Sequence, residues 1–253
     1  KQNLNFTTQL VISTHSSHIA IETTFGNLRY FKRLPEGTEC AVATSKVINL
    51  SDVFGDSDQT NKFVTRYLQS THCDLFFADA AILVEGVAES MLLPHFIRSK
   101  FPELYQRYIT ILGVNGRHAH RLSPLIEKLC LPTLVITDLD PAEKEGYHKS
   151  VVPKRGEGQI SGNYAIAKWL MKEKDIDKLV DYSEDKKEFS FASPYRFSIR
   201  LAYQTPVKVD FEGEEKEAIP GTFEDCLIYT NYDLFKKIKV TDSGNLVEQT
   251  HDL

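Results

Sequence analysis

No stretch of this 253-residue chain approaches the roughly eighteen consecutive apolar residues of a membrane span. Its first residues, KQNLNFTTQL, carry no charged leader followed by an apolar core. Those two absences point to the cytoplasm. Cysteine is scarce, and Cys40, Cys73, Cys130 and Cys226 stand far apart with no CxxC and no Cys/His pairing at zinc-finger spacing. Neither a disulfide framework nor a structural zinc site is therefore expected. Positive charge is not in surplus either: 30 Lys+Arg against 35 Asp+Glu give a formal net charge of −5. Contact with nucleic acid would need a local basic patch, or metal ions bridging to phosphate. The phosphate-cradling loop GxxxxGK(S/T) occurs nowhere, so this chain is not expected to hydrolyse ATP by itself. What remains is a globular, soluble chain, 42% hydrophobic, long enough for one large domain or two modest ones.

The most informative stretch is Ala80 to Glu89, AAILVEGVAE. Ala80 to Val84 is a short continuous apolar run of the kind buried on both faces of a sheet. Glu85 follows at its end, Gly86 permits a sharp turn, and Val87 to Leu93 reads as a helix that brings Glu89 back toward Glu85. Tyr108 to Val114 is a second buried-type strand ending in Asn115-Gly116, and Arg117 to Cys130 is helical in pattern, with Ser123-Pro124 as cap and first turn. Thr133 to Thr137 is a third strand, ending in Asp138-Leu139-Asp140. Strand, helix, strand, helix, strand predicts a parallel sheet with right-handed crossovers, and ligands bind at the C-terminal edge of such sheets. Glu85, Glu89, Asp138 and Asp140 are thus expected in one crevice.

Around that unit the pattern is less specific. Gln9 to Ile12 reads as a buried strand running into Ser13-Thr14-His15-Ser16-Ser17-His18, a corner that could face a nucleotide or simply cap a helix. Asn27 to Leu50 reads as a small antiparallel piece with a turn at Pro35 to Thr38. Gln59 to Ser70 reads as a helix capped by Ser57 or Asp58. Ala142 to Gly158, with Lys144, Lys149, Lys154 and Arg155, reads as a mobile loop, either solvated or able to hold a phosphate. Ser161 or Asn163 is a candidate cap for a helix from Tyr164 to about Lys172. Lys172 to Glu188 reads as an exposed helix or linker, and Glu212 to Glu217 as an acidic turn between the strand Val207 to Phe211 and a last helix opened by Thr222.

Hard divalent cations take oxygen ligands, and Mg²⁺ is usually held by one or two carboxylates together with water and substrate phosphate. Two acid clusters at strand ends suit one ion each or a shared pair, and two ions about 4 Å apart suit phosphodiester hydrolysis. A DxD alone, or two glutamates four apart, is most often a solvated surface. Their combination on the first and third strands of one unit, with a glycine turn after each of the first two strands, is far more specific.

ILVEGVAE, the VNG turn and VITDLD together resemble the Toprim domain, shared by type II and type IA topoisomerases, bacterial primases and several nucleases. The segment QLVISTHSSHIA is similar to the closing strand and switch-histidine segment of ABC-type ATPases, with His15 at the switch position. Together with LFFADAAILVEG, SGN, IRLAYQTP and GTFED, it narrows the resemblance to the OLD (overcoming lysogenization defect) family of ATPase-Toprim nucleases, which includes the nuclease subunit of a phage-defence system. The resemblance implies an α/β fold, a Toprim-type parallel sheet flanked by helices, with an additional helical segment and a small N-terminal β piece. It places residues 1–56 as the end of an ATPase domain and 57–253 as the catalytic domain, Lys1 then being the start of a fragment.

As the resemblance implies, Glu85, Glu89, Asp138 and Asp140 would be catalytic metal ligands for Mg²⁺ or Mn²⁺, two ions in number. Thr222 and Glu224 would join them from the hydroxyl-x-acid step Thr222-Phe223-Glu224, whose other reading is a helix cap with an acid in the first turn. Ser161 would be a cap, and Gly86 and Gly116 turn positions. The family's charge-stabilising lysine has no clear match here, so that role would fall to Lys154, Arg155 or Lys236, or lie beyond Leu253. The expected activity is an endonuclease acting on DNA, in a homodimer coupled to the ATPase domain of the same parent chain. The alternatives are a topoisomerase- or primase-like Toprim enzyme, and a non-catalytic ATPase-associated module.

Overall fold

The computed structural model describes residues 9–23, 25–34, 36, 42–50, 53, 67, 73–114, 118–144, 150–192, 195–211 and 214–236. The chain divides into two compact units, residues 1–77 and 78–253. The expected helix from Gln59 to Ser70 falls, apart from Tyr67, outside the described residues, as does Gly116.

In the first unit, helix α1 (Ser17–Glu22) precedes a hairpin of β1 (Arg29–Leu34) and β2 (Thr44–Asn49), paired antiparallel from Arg29 opposite Asn49 to Leu34 opposite Thr44. This is the expected antiparallel piece. Gln9 to Ile12 is not a strand: Leu10, Val11 and Ile12 are exposed and the segment joins no ladder. An apolar run becomes a strand only when neighbours satisfy its backbone groups, and among the described residues no strand pairs with this segment.

The second unit is built on a five-stranded sheet in the order β4-β3-β5-β9-β8. β3 (Ala80–Val84) lies between β4 (Ile109–Gly113) and β5 (Thr133–Ile136), and β9 (Phe197–Ala202) lies beyond β5, all four parallel. β8 (Glu188–Phe191) closes one edge antiparallel to β9. Helix α2 (Val87–Lys100) connects β3 to β4 and keeps Pro94 within its length. Helix α3 (Ser123–Leu129), entered through a 3₁₀ turn at Ala119–Leu122, connects β4 to β5 and ends where Cys130 takes a left-handed conformation. Leu83, Val84, Leu112 and Val135 are buried with Leu122, Leu125, Ile126 and Leu129, which is why the strands read as continuous apolar runs rather than alternations. The chain leaves β3 for a neighbour on one side and then for one on the other, so the switch point lies at β3 and β5.

Three downstream expectations are corrected. Lys172 to Glu188 is not an exposed linker: it contains helix α4 (Ile176–Asp181) with Ile176, Leu179 and Val180 buried, and a 3₁₀ turn in which Lys187 is buried. Lys187 pairs with Glu184 at 2.7 Å and lies over the Tyr203 ring, so a short amphipathic segment hides behind its many charges. Glu214–Ala218 is strand β11, paired with β10 (Val207–Phe211), not part of a turn. Its four charged residues are exposed while Ala218 packs with Val209 and with Ile228 and Tyr229 of helix α5 (Phe223–Thr230). Nor are residues 150–159 a loose loop. The two-residue strands β6 (Pro141–Ala142) and β7 (Ile160–Ser161) pair at its base, Val151 donates to the Pro141 carbonyl, and residues 145–149 lie outside the described set.

Candidate active site

The register of the sheet assembles the site. Leu83 pairs with Val135, so two residues on, Glu85 comes level with Thr137. Ile136 pairs with Ala202, so Asp138 comes level with Gln204. The side chains complete what the register begins. The Thr137 hydroxyl and the Asn163 amide, the latter at 2.6 Å, both donate to Glu85 Oε1. The same amide nitrogen reaches Thr137 Oγ1 at 2.8 Å and Asp140 Oδ2 at 3.1 Å, with Asn163 fully buried. Gln204 donates to Asp138 Oδ1 and accepts from the Leu139 N–H at 2.9 Å. Asp140 takes a left-handed backbone conformation (φ 48°), which an aspartate tolerates better than most residues, and its carbonyl receives the Gly162 N–H.

Glu89 is buried in the first turn of α2, with its carboxylate folded over the turn at Gly86. A Cβ on Gly86 would stand 2.4 Å from Glu89 Oε2, so this position needs glycine for close approach. Glu224 lies in the first turn of α5, which touches α2. Thr222 caps that helix: its hydroxyl accepts the Asp225 N–H, while the Asp225 carboxylate accepts the N–H of Thr222 and of Gly221. The cap reading of Thr222 is thus what the geometry displays. Ser161 is no helix cap; its hydroxyl accepts the Asn163 N–H, helping to set the asparagine on the acids. Within the expected helix from Tyr164 to about Lys172, Ala165–Trp169 is helical, in the wide π form.

Burial pushes the Glu85 carboxyl up to about 7 against an ordinary 4.5; the Asn163 hydrogen bond opposes this, and Asp140, Asp138 and Glu89 add repulsion. Burial likewise raises Asp138 from 3.8 to about 6, opposed by Gln204 and reinforced by Asp140, Glu89 and Glu224. These mutual influences put Glu85, Glu89, Asp138, Asp140 and Glu224 in one electrostatic neighbourhood. Among the described residues no three of these acids yet close around a common point at metal-binding distance. The donor set is nonetheless all hard oxygen, and desolvated carboxylates that repel one another suit a divalent cation. Asp138, Asp140 and Thr222 also line a cavity of about 1010 Å³, walled on its other side by residues 150–159.

Asn163 and Gln204 were not singled out in the sequence as part of the acid cluster. SGN and IRLAYQTP carried them, but neither an amide before a helix nor one after a strand announces a carboxylate partner dozens of residues away. Of the candidate cations, Arg155 is bound to Glu217 at 2.5 Å and Asp181 at 2.8 Å, and Lys236 pairs with Asp233.

Against known proteins, residues 76–140 match the family described as "Overcoming lysogenization defect protein-like, TOPRIM domain". The chain is 28% identical over 271 aligned positions to Endonuclease GajA of Bacillus cereus (strain HuB5-5), an alignment covering 99% of this chain and 36% of that protein. The chain thus spans little more than a third of the length of the curated relative it matches. With β3, β4 and β5 in parallel register, Glu85 following the first of them and the DxD following the third, residues 76–140 are an OLD-like Toprim domain.

Proposed function

We propose that this chain is the catalytic region of a divalent-metal-dependent DNA endonuclease, acting within a larger ATPase-coupled protein. The observation that carries the reading is the meeting of Glu85 and Asp140 on one amide, Asn163, with Asp138 held by Gln204 in the same repulsive field at the C-terminal edge of β3 and β5. Similarity to an endonuclease over nearly the whole chain supports it.

Glu85, Asp138 and Asp140 would hold Mg²⁺ or Mn²⁺, and Glu89 and Glu224, whose charges act on Asp138, would serve a second position; such ions would supply Lewis acidity and charge neutralisation at a phosphodiester. The protein's part is preorganisation. Asn163 and Gln204 each hold one carboxylate oxygen, of Glu85 and of Asp138, and so orient the two acids, and the Gly86 turn lets the Glu89 carboxylate fold over it. Burial behind Leu83, Val84 and Val135 keeps bulk water from the inner side of the acids.

The test is cleavage of supercoiled plasmid by the intact protein with Mg²⁺ or Mn²⁺. Asp138→Ala should lose at least about a hundredfold in rate, the scale set by removing one electrostatic stabiliser of a transition state. Equal cleavage by Asp138→Ala and the unaltered protein would remove the assignment, as would inactivity of the unaltered protein with metal bound.

A further inference from the structure

We propose that Tyr164 is a substrate-contacting residue on which an unpaired nucleobase next to the cleaved bond stacks, selecting DNA that is single-stranded or locally opened at the cut; the inference rests on the DNA endonuclease reading above. Tyr164 directly follows Asn163, the buried amide that holds Glu85 and Asp140. Asn163 and Ala165 on either side of it are buried, whereas the Tyr164 side chain stays 43% exposed, and its hydroxyl has no hydrogen-bond partner among the described residues. A large aromatic residue that the core does not take up thus stands one residue from the acids.

The ring is held in place. His120, in the 3₁₀ turn Ala119–Leu122, packs against it with ring centroids 5.2 Å apart and planes at 86°, and the Lys168 ammonium lies 4.0 Å from its centroid. The wide turn Ala165–Trp169, which carries Lys168, is anchored by buried Ala165 and Ile166 and by Trp169, whose indole N–H donates to Glu127 of α3 at 2.9 Å. The turn carrying His120 follows β4, which runs parallel to β3 and so ends at the same edge of the sheet. His120, Tyr164 and Lys168 therefore form a ledge beside the acids, at the edge where α/β sheets take their ligands.

A DNA strand is a polymer, so with one phosphodiester at the acids its neighbouring nucleotides must lie against the flanking surface. Aromatic faces bind bases with little regard to sequence, and only a base out of its duplex stack can offer its own face to them. The chain as a whole, at a net charge of −5, does not attract DNA. On the ledge, however, the ring is accompanied by a histidine and by a lysine that has no acidic partner among the described residues. An exposed cation–π contact is weaker than base stacking, so an arriving base displaces the Lys168 ammonium from the ring.

The test uses the intact protein in Ca²⁺ and two fluorescent single strands of about 20 nucleotides, one of thymidines and one abasic throughout, with binding followed by anisotropy. Tyr164→Ala should weaken binding of the thymidine strand by about tenfold, the scale of one lost stacking contact, while Tyr164→Phe keeps it within about twofold. Neither variant should change binding of the abasic strand, which shares the backbone charge and offers nothing to stack. A loss in Tyr164→Ala that falls equally on both strands overturns the proposal. So does unchanged binding of the thymidine strand by Tyr164→Ala, or no binding of it by the unaltered protein. Plasmid cleavage is scored separately: a base-dependent loss in a protein that never cuts upholds the stacking contact and removes only the endonuclease assignment.

Discussion

At the scale of single residues, the site depends on a neutral side chain. Asn163 offers one amide nitrogen to Glu85, Thr137 and Asp140 from a fully buried position. Its place cannot be taken by an isosteric acid, because a further buried carboxylate would meet carboxylates where a donor now meets them. Asn163→Asp should cost about 3 kcal/mol of folding stability in EDTA, the scale of a buried charge left uncompensated. Urea denaturation followed by circular dichroism measures it, and a loss below about 1 kcal/mol, the scale of an ordinary hydrogen bond, would show that the amide is not what holds the acids together. The sequence could not reveal this residue. Its three acceptors are spread along the chain, and only the sheet register makes Glu85 and Thr137 neighbours.

At the scale of elements, the turn of residues 152–159, closed where the Gln159 side chain accepts the Lys154 N–H and donates to the Val152 carbonyl, separates two kinds of stabilisation. Arg155 is half-exposed and its pairs with Asp181 and Glu217 lie at the surface, where such pairs are worth about 0–1 kcal/mol. Gln159 is buried, and its loss strands the Lys154 N–H and the Val152 carbonyl. Gln159→Ala should therefore destabilise by about 2 kcal/mol and Arg155→Ala by less than about 1 kcal/mol. Hydrogen exchange read at residues 154–159 should speed up in both variants. A Gln159→Ala protein with full protection there would mean that the side chain does not close the turn. The charge-rich sequence around this turn suggested a mobile loop because composition reports solvent-facing side chains, whereas Gln159, together with Asp177 accepting the Gly156 N–H, decides whether the backbone is held.

At the scale of the whole molecule, the acid cluster couples stability to pH and to metal. Burial holds Glu85 up to about 7 and Asp138 to about 6, above the ordinary 4.5 and 3.8. The unfolded chain releases these protons earlier, so the folded protein without metal loses the stability they contribute as pH rises from roughly 4 to 7. Glu184, lowered by its hydrogen bonds to Lys187 and Arg200, works in the opposite sense and loses its contribution as pH falls. The difference between the unaltered protein and Glu85→Gln isolates the cluster. In EDTA that difference in melting temperature should move in favour of Glu85→Gln between about pH 5 and pH 8. Mn²⁺ should raise the midpoint of the unaltered protein more at about pH 8 than at pH 5, since ligands must be deprotonated to bind. An equal metal-induced shift at both pH values would exclude these carboxylates as ligands.

The chain's own pattern determined the βαβαβ series, the glycine at position 86 and the acids at two strand ends, because continuous apolar runs and turn residues are local physical constraints. The antiparallel hairpin of β1 and β2 was legible for the same reason. Gln9 to Ile12 read as a strand because its apolar run looks the same with or without a neighbour to pair with. Only the tertiary structure decided that Asn163 and Gln204 grip the acids, that Thr222 is occupied as a cap, and that Glu224 lies near enough to raise Asp138. Those are contacts between distant parts of the chain. They are set by sheet register and helix packing, which no local window of residues contains.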